Sequence, residues 1–576
     1  MFKRATLHIL KWLAVVGLMI LVKCSSAPKA DLVIHNGTIY TMNPEQPTAG
    51  LIAVKNGKIT FVGAAADAPD WVESSVHTLD LNGRTLTPGF IDAHAHFMGL
   101  GWAKLSLNLA DTKSYDEIVA KVAEAVKATP EGEWILGRGW HQNKWDSLPA
   151  EMVRGFQVHD ALSAVSPNHP VFLWHASGHA AIANAKAMEI AGITPASELS
   201  GDGEVIKDDA GNPTGIFTEV AMDLINSHIP QSTPEMNRRK LELATQEALS
   251  NGITTFHDAG ADSLEIELYK MMADNHQLGV RLWVMLSSWK NGKFLDDFLD
   301  ECFANGPLVG YGNNFLTVRS VKLYADGALG SRGAWLLKEY SDRHHHFGNA
   351  VISMDKIGEM AAKALNGGFQ ICTHAIGDRA NREVLDQYEK AFAANPEKAQ
   401  NSRFRIEHAQ HLTEEDIPRF AQLGVIPAMQ AIHMSSDRPW AIDRLGQERI
   451  DEGAYVWRKL LDSGAKIANG TDAPVEPLTP IACFYAAVSR KTLDGHPPGG
   501  FEPSQKMTRE EALRSYTLDA AYAGFEEEIK GSIAVGKLAD FTVFSQDIMT
   551  VPEEELLNTA VDFTIVDGKI AFQRTE

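Results

Sequence analysis

Cysteine is scarce in this chain: four in 576 residues, at Cys24, Cys302, Cys372 and Cys483, with no CxxC spacing. That excludes a disulfide-stapled scaffold and a thiolate zinc site; the last three read as small buried apolar side chains. Cations are also in deficit. Lys and Arg number 53 against 74 Asp and Glu, a formal charge of −21, which argues against nucleic acid or anionic lipid as a partner. No GxGxxG fingerprint follows an early strand, so a doubly wound dinucleotide-binding sheet is disfavoured. What remains is ordinary for a large globular protein, with 44% hydrophobic and 22% charged residues.

The apolar run Trp12–Val22 is too short for a comfortable membrane span. It is flanked by Lys3, Arg4, Lys11 and Lys23, with no acid in the first 23 residues, the composition of a signal peptide spanning about residues 1–27. Cys24-Ser25-Ser26 has the form of a bacterial lipidation site, although Lys23 stands where a small residue is normal. A cut after Ala27 would leave Pro28 at the new terminus. Export to the periplasm or cell envelope is the expectation, with a lipid on Cys24 or an uncleaved leader as the only tie to a membrane.

Both ends of the remaining chain alternate apolar and polar residues. Residues 31–86 carry Asn36-Gly37, Asn56-Gly57 and Asn82-Gly83 between such runs, and the segment 530–576 carries Asp567-Gly568. Asn-Gly and Asp-Gly between alternating runs are hairpin signals. The two ends are therefore expected to form one composite β-sandwich clamping what lies between.

Residues 87–529 hold eight apolar runs of strand length, most of them separated by helical periodicity. LTPGFID comes first, then an insertion at about 102–230, and then runs at 253–260, 280–286, 316–326, 369–377, 403–410, 424–430 and 465–474. Alternating units with buried strands predict a parallel sheet, and eight of them a (β/α)8 barrel with its active site at the C-terminal strand ends. Four histidines, a lysine and an acid fall at those ends: His94 and His96 after the first strand, Lys322 on the fourth, His374 after the fifth, His408 after the sixth and Asp472 after the eighth. Residues i and i+2 of a strand share a side, so His94 and His96 can reach one point. Nitrogen and oxygen ligands without thiolate suit zinc first, then manganese, iron or nickel. Asp472 is the candidate proton carrier as well as a ligand.

PGFIDAHAH, SVKLYADGALGSRGA, HAIGDRAN, RIEHAQHL, NGTDAPVEPLTP and GSIAVGKLADFTVF occur in this order along the chain. They resemble the amidohydrolase superfamily, and most of all its third subfamily, the YtcJ-like proteins that include N-substituted formamide deformylase. The resemblance implies a metal-dependent barrel acting on amide, formamide or related C–N bonds. Its ligand pattern falls on His94, His96, Lys322, His374, His408 and Asp472. Lys322, on a strand where related barrels use a carboxylated lysine or a glutamate, is expected as a carbamate bridging two ions, with a neutral amine ligand or a pairing with Asp326 as the alternatives. HASGHAAIAN, with His175 and His179, resembles the subfamily's substrate-side motif. Trp140 could wall the pocket, and Asp326 and Arg332 could bind the substrate's polar end or fix their loop. The partner is a small molecule, and a homodimer stays open. Two rivals are kept: a deaminase of an amidine-like heterocycle, and a non-catalytic envelope protein that binds metal or ligand.

Overall fold

The computed structural model of the protein describes residues 30–197, 203–290 and 293–575. The leader and Cys24 lie outside them. Eight parallel strands stand in sequence order: β1 (Phe90–Ala95), β2 (Ile253–Ala261), β3 (Arg281–Ser287), β4 (Leu316–Tyr324), β5 (Gln370–Ala375), β6 (Arg405–His408), β7 (Ile426–Met429) and β8 (Ala468–Asn469). Nearly every residue of these strands is buried, because helices cover the outside and packed side chains fill the inside. The barrel closes where β8 meets β1. The Asp472 N–H donates to the His94 carbonyl at 2.7 Å, and the His96 N–H to the Ala473 carbonyl at 2.8 Å. Gly470 makes that approach feasible, since a Cβ there would lie 2.4 Å from the His94 nitrogen.

The run LTPGFID, read as one strand, is two. Thr85–Pro88 pairs with Phe541–Phe544 in the terminal domain, whereas Phe90–Ala95 opens the barrel. Gly89 is the switch point, where a Cβ would come 2.2 Å from the Thr254 hydroxyl. The strands of both termini are hydrogen-bonded into one eight-stranded sheet around a core that includes Ile34, Ile52, Leu86, Phe541 and Ile565. Asn56-Gly57 and Asp567-Gly568 are its hairpin turns. The other two Asn-Gly pairs are not hairpins. Asn36-Gly37 falls at a register shift within Leu32–Tyr40, and Asn82-Gly83 joins two segments that both run parallel to that strand. Asn36 and Asn82 have positive φ, 60° and 49°, which a bulge or a strand-to-strand step uses as readily as a hairpin does.

This terminal sheet docks at the N-terminal end of the barrel. Arg281, the first residue of β3, makes a buried bidentate pair with Asp540 at 2.7 and 2.9 Å, and Thr542 bonds the Gly252 carbonyl at 2.6 Å. The insertion leaves after β1, at the opposite end. It has its own six-stranded sheet, built between Leu107–Asn108 and Pro213–Glu219, with separate cores on either side. One core rests on the helix Tyr115–Ala128, which buries Tyr115, Ile118 and Val122 and is capped by Ser114. The fold thus leaves the C-terminal strand ends facing the insertion.

Candidate metal centre and cavity

The histidines at the strand ends converge because each strand delivers its side chain to one axis. His94 lies fully buried with its Nε2 3.6 Å from Asp472 Oδ1, and His96 Nε2 lies 3.2 Å from the same oxygen. Lys322, also buried, places its Nζ 3.3 Å from His94 Nε2. The rings of His374 and His408 lie 4.5 Å apart, and that of His408 lies 4.9 Å from His94. All six residues taken as ligands from the sequence therefore share one site. A seventh joins them: His433, whose Nε2 is 3.5 Å from Asp472 Oδ2. The ligand atoms of His94, His96 and Asp472 lie within 4.8 Å of one another, as do those of His408, His433 and Asp472.

Outer partners fix which nitrogen each ring presents. The Nδ1 of His94 is held by Glu407, which Arg405 grips in turn at 2.7 and 2.8 Å. Gln430 Oε1 lies 2.7 Å from Nδ1 of His408. Both arrangements protonate Nδ1 and leave Nε2 as a free lone pair, the form a metal needs. Burial pushes His94, His374 and His408 well below the usual imidazole range, with Lys322 adding to the effect, so these rings are neutral. Burial alone would raise Asp472, but His96, whose Nε2 lies 3.2 Å from Oδ1, holds it well below the usual carboxylate range. His408 and Asp472 sit at φ 74° and 60°, a left-handed backbone that costs ~1–3 kcal/mol per residue and persists only where the surroundings impose it. Thr471 supplies part of that frame, its hydroxyl bonding Asp92 at 2.6 Å.

The donor set fits a divalent ion. Neutral imidazoles and one carboxylate converge, and the buried atoms His374 Nε2, His433 Nε2 and Asp472 Oδ1 have no hydrogen-bond partner. Nitrogen and oxygen donors of this kind suit zinc or a neighbouring transition metal.

A cavity of about 350 Å³ opens above these residues. One wall is apolar, from Leu329, Val351, Ile376 and Trp440; the insertion supplies His141, Lys144, Ser177, His179 and Glu219. His179 Nδ1 is 3.0 Å from Glu219, which outweighs burial and raises the imidazole pKa. His175 stands behind it, bonding Ser177 at 2.8 Å under the ring of His141. Three other residues named from the sequence are engaged by the protein's own groups. Trp140 is wholly buried in the insertion, its indole N–H on the Leu173 carbonyl at 2.8 Å and its ring packed edge-on against His175. Arg332 turns to Asp342, at 3.1 and 2.8 Å. Asp326 reaches the cavity wall but is consumed by the backbone N–H groups of Trp335, Ile376 and Gly377 at 2.8, 3.0 and 2.8 Å.

His433, Glu407, Gln430 and Arg405 were not singled out from the sequence. His433 sits two residues into the helix α1 (Ala431–Leu445) that follows β7, so the rule that found the other histidines, a His just past a strand end, would have reached it.

Residues 77–572 match the model of a family described as "Amidohydrolase family". The chain belongs to the amidohydrolase family. Among its relatives, the amidohydrolase is 31% identical over 548 residues to "Putative amidohydrolase YtcJ" of Bacillus subtilis, covering 94% of this chain and 99% of that one. It is 27% identical to "N-substituted formamide deformylase" of Arthrobacter pascens, covering 95% and 99%. An uncharacterized metal-dependent hydrolase from Pyrococcus horikoshii superposes with a TM-score of 0.73 at 26% identity, over 91% of this chain and 99% of that one. The family and its hydrolase relatives make this chain a hydrolase.

Proposed function

We propose that this amidohydrolase cleaves the C–N bond of an N-acyl or N-formyl amide, or of a cyclic amide, using one or two zinc-like ions. The observation that carries the reading is the carboxylate of Asp472 on the cavity floor. One oxygen faces His94 and His96 and the other faces His433, so it stands between both ligand groups and the space where a substrate would lie. A divalent ion there lowers the pKa of water from 15.7 towards ~7 and polarises a carbonyl oxygen. Asp472 accepts the proton of the attacking water and returns it to the leaving nitrogen. A C–O bond forms, the C–N bond breaks, and the products are a carboxylic acid and an amine. Protonated His179, held by Glu219, donates to a substrate oxygen from the lid side, while Trp440 and Val351 receive the apolar substituent.

Lys322 belongs to the same reading. Burial lowers its pKa, which favours the neutral amine, the form that adds carbon dioxide to give an anionic carbamate. Lys322→Ala should lose metal and activity together, and short carboxylic acids with bicarbonate should partly restore both. The leader composition further supports export to the envelope; among the described residues no helix is long and apolar enough to cross a membrane.

The deciding experiment presents the metal-loaded protein with formamides, acyl-amino acids and cyclic amides and assays carboxylic acid, free amine and ammonia. Acid and amine in equal amounts support the reading. Ammonia released from a heterocycle without a new acid would replace it with deamination, and no turnover on any metal would leave a binding protein.

A further inference from the structure

The catalytic cavity has a second side. A cavity of about 310 Å³ lies behind His96 and shares His96 and Val475 with the first. A third, of about 460 Å³, lies between the insertion and the barrel and meets the second at Arg138. The third cavity is lined by Trp102, Trp174, Asn226, Ser232, Arg138 and Lys240 among others, and by no acidic residue.

Neither cation is neutralised. The guanidinium of Arg138 donates Nη2 to the Ala176 carbonyl at 3.2 Å and forms no ion pair among the described residues. The ammonium of Lys240 bonds only neutral oxygens, Ser232 at 2.5 Å and Asn237 at 3.4 Å. Burial pushes both below their usual ranges, opposed in part by Asp472 at Arg138 and by Glu265 at Lys240. Two acids face the middle cavity. Asp258 is raised by burial and already accepts from the Phe97 N–H at 2.9 Å and the Tyr269 hydroxyl at 2.8 Å. Burial pushes Glu265 up to about 8, so it is largely protonated at neutral pH and gives Lys240 little compensation. The indoles of Trp102 and Trp174 meet edge to face at 5.1 Å, forming an apolar wall beside the charges.

The front cavity has the opposite bias. Its rim carries Glu219, Asp437 and Glu476 with Lys144 as counterweight, and the acids suit the cationic amine that amide hydrolysis releases. We propose that the cavity between insertion and barrel binds the other product, a small carboxylate with an apolar or aromatic body, on Arg138 and Lys240 against Trp102 and Trp174. This rests on the proposed amide hydrolysis for the identity of the ligand. The loop after His175 couples the two sides: Ala176, Ser177 and His179 line the front cavity and Gly178 the rear one.

Benzoate is the probe, titrated by calorimetry into the full-length, metal-stripped protein, where the metal centre cannot hold it. One benzoate per chain should bind, benzyl alcohol should not, and Lys240→Met and Arg138→Met should each weaken binding about tenfold. Lys240→Arg, which keeps the charge, should retain binding and shows that the methionine effect is not misfolding. In the metal-loaded protein, benzoate should inhibit amide turnover with an inhibition constant that rises about tenfold in Lys240→Met. No binding to the metal-stripped protein, or equal affinity in parent and both methionine variants, would overturn the site. Failure of the hydrolysis reading would look different, as benzoate binding with the same variant effects but no amide turned over.

Discussion

The barrel floor and the insertion that covers it contribute to one cavity by different means. On the floor, ligand side chains sit on or just past strands, and two of their rings are locked from behind, His94 by Glu407 and Arg405 and His408 by Gln430. On the insertion side, His175 and His179 flank a short turn, and His179 answers to the single partner Glu219. A rigid, doubly supported floor suits chemistry that fails when a ligand moves by an ångström. A turn-borne lid suits selectivity, because its residues can change without disturbing the ligands.

The largest effect expected from this division is on proton transfer. Asp472→Asn should lower kcat by about 10²–10⁴-fold, the usual worth of a positioned acid–base group, while elemental analysis finds metal retained. Near-parental turnover would remove Asp472 from proton transfer. Next comes the support behind the floor. Glu407→Gln keeps the shape but leaves Arg405 without its buried counter-charge, a loss of about 3–5 kcal/mol. It should also weaken metal affinity about 10–100-fold in a chelator competition. On the lid, His179→Asn should raise KM about tenfold, the scale of one charge-assisted hydrogen bond, with metal content unchanged. Metal lost from that variant would break the comparison, since the lid would then be holding the ligands. The smallest effect belongs to Trp140→Phe. Losing one hydrogen bond to the Leu173 carbonyl should lower stability by about 1 kcal/mol in urea unfolding and leave kcat/KM within about twofold.

The same division separates what the sequence showed from what it hid. The eight barrel strands were legible because buried parallel strands are continuous apolar runs. The clustering of the histidines with Asp472 was legible because strand ends sit at fixed places in such a barrel. Glu407 and Arg405 were not, although they lie two residues apart in RIEH, because a charged pair inside an apolar strand looks the same whether it supports a ligand or only a fold. Trp140 and Arg332 show the converse. An aromatic or a guanidinium near a motif invites a binding role, but the partners that occupy them, Leu173 and Asp342, are distant in sequence or outside the motif. The terminal sheet was misread in detail because Asn-Gly specifies a positive φ, which three different connections can use.

The seam of the barrel carries one more consequence, for the order in which the molecule is made. His94 and His96 are among the first residues of the barrel to be synthesised, yet the peptide groups that lock them in place belong to Asp472 and Ala473. The supporting Asp92–Thr471 bond likewise spans 379 residues. A contact of that separation forms late, after the chain between has been laid down and folded. Ring closure and assembly of the histidine–Asp472 cluster are therefore one event: a chain that stops short of β8 has the first histidines but not the completed cluster.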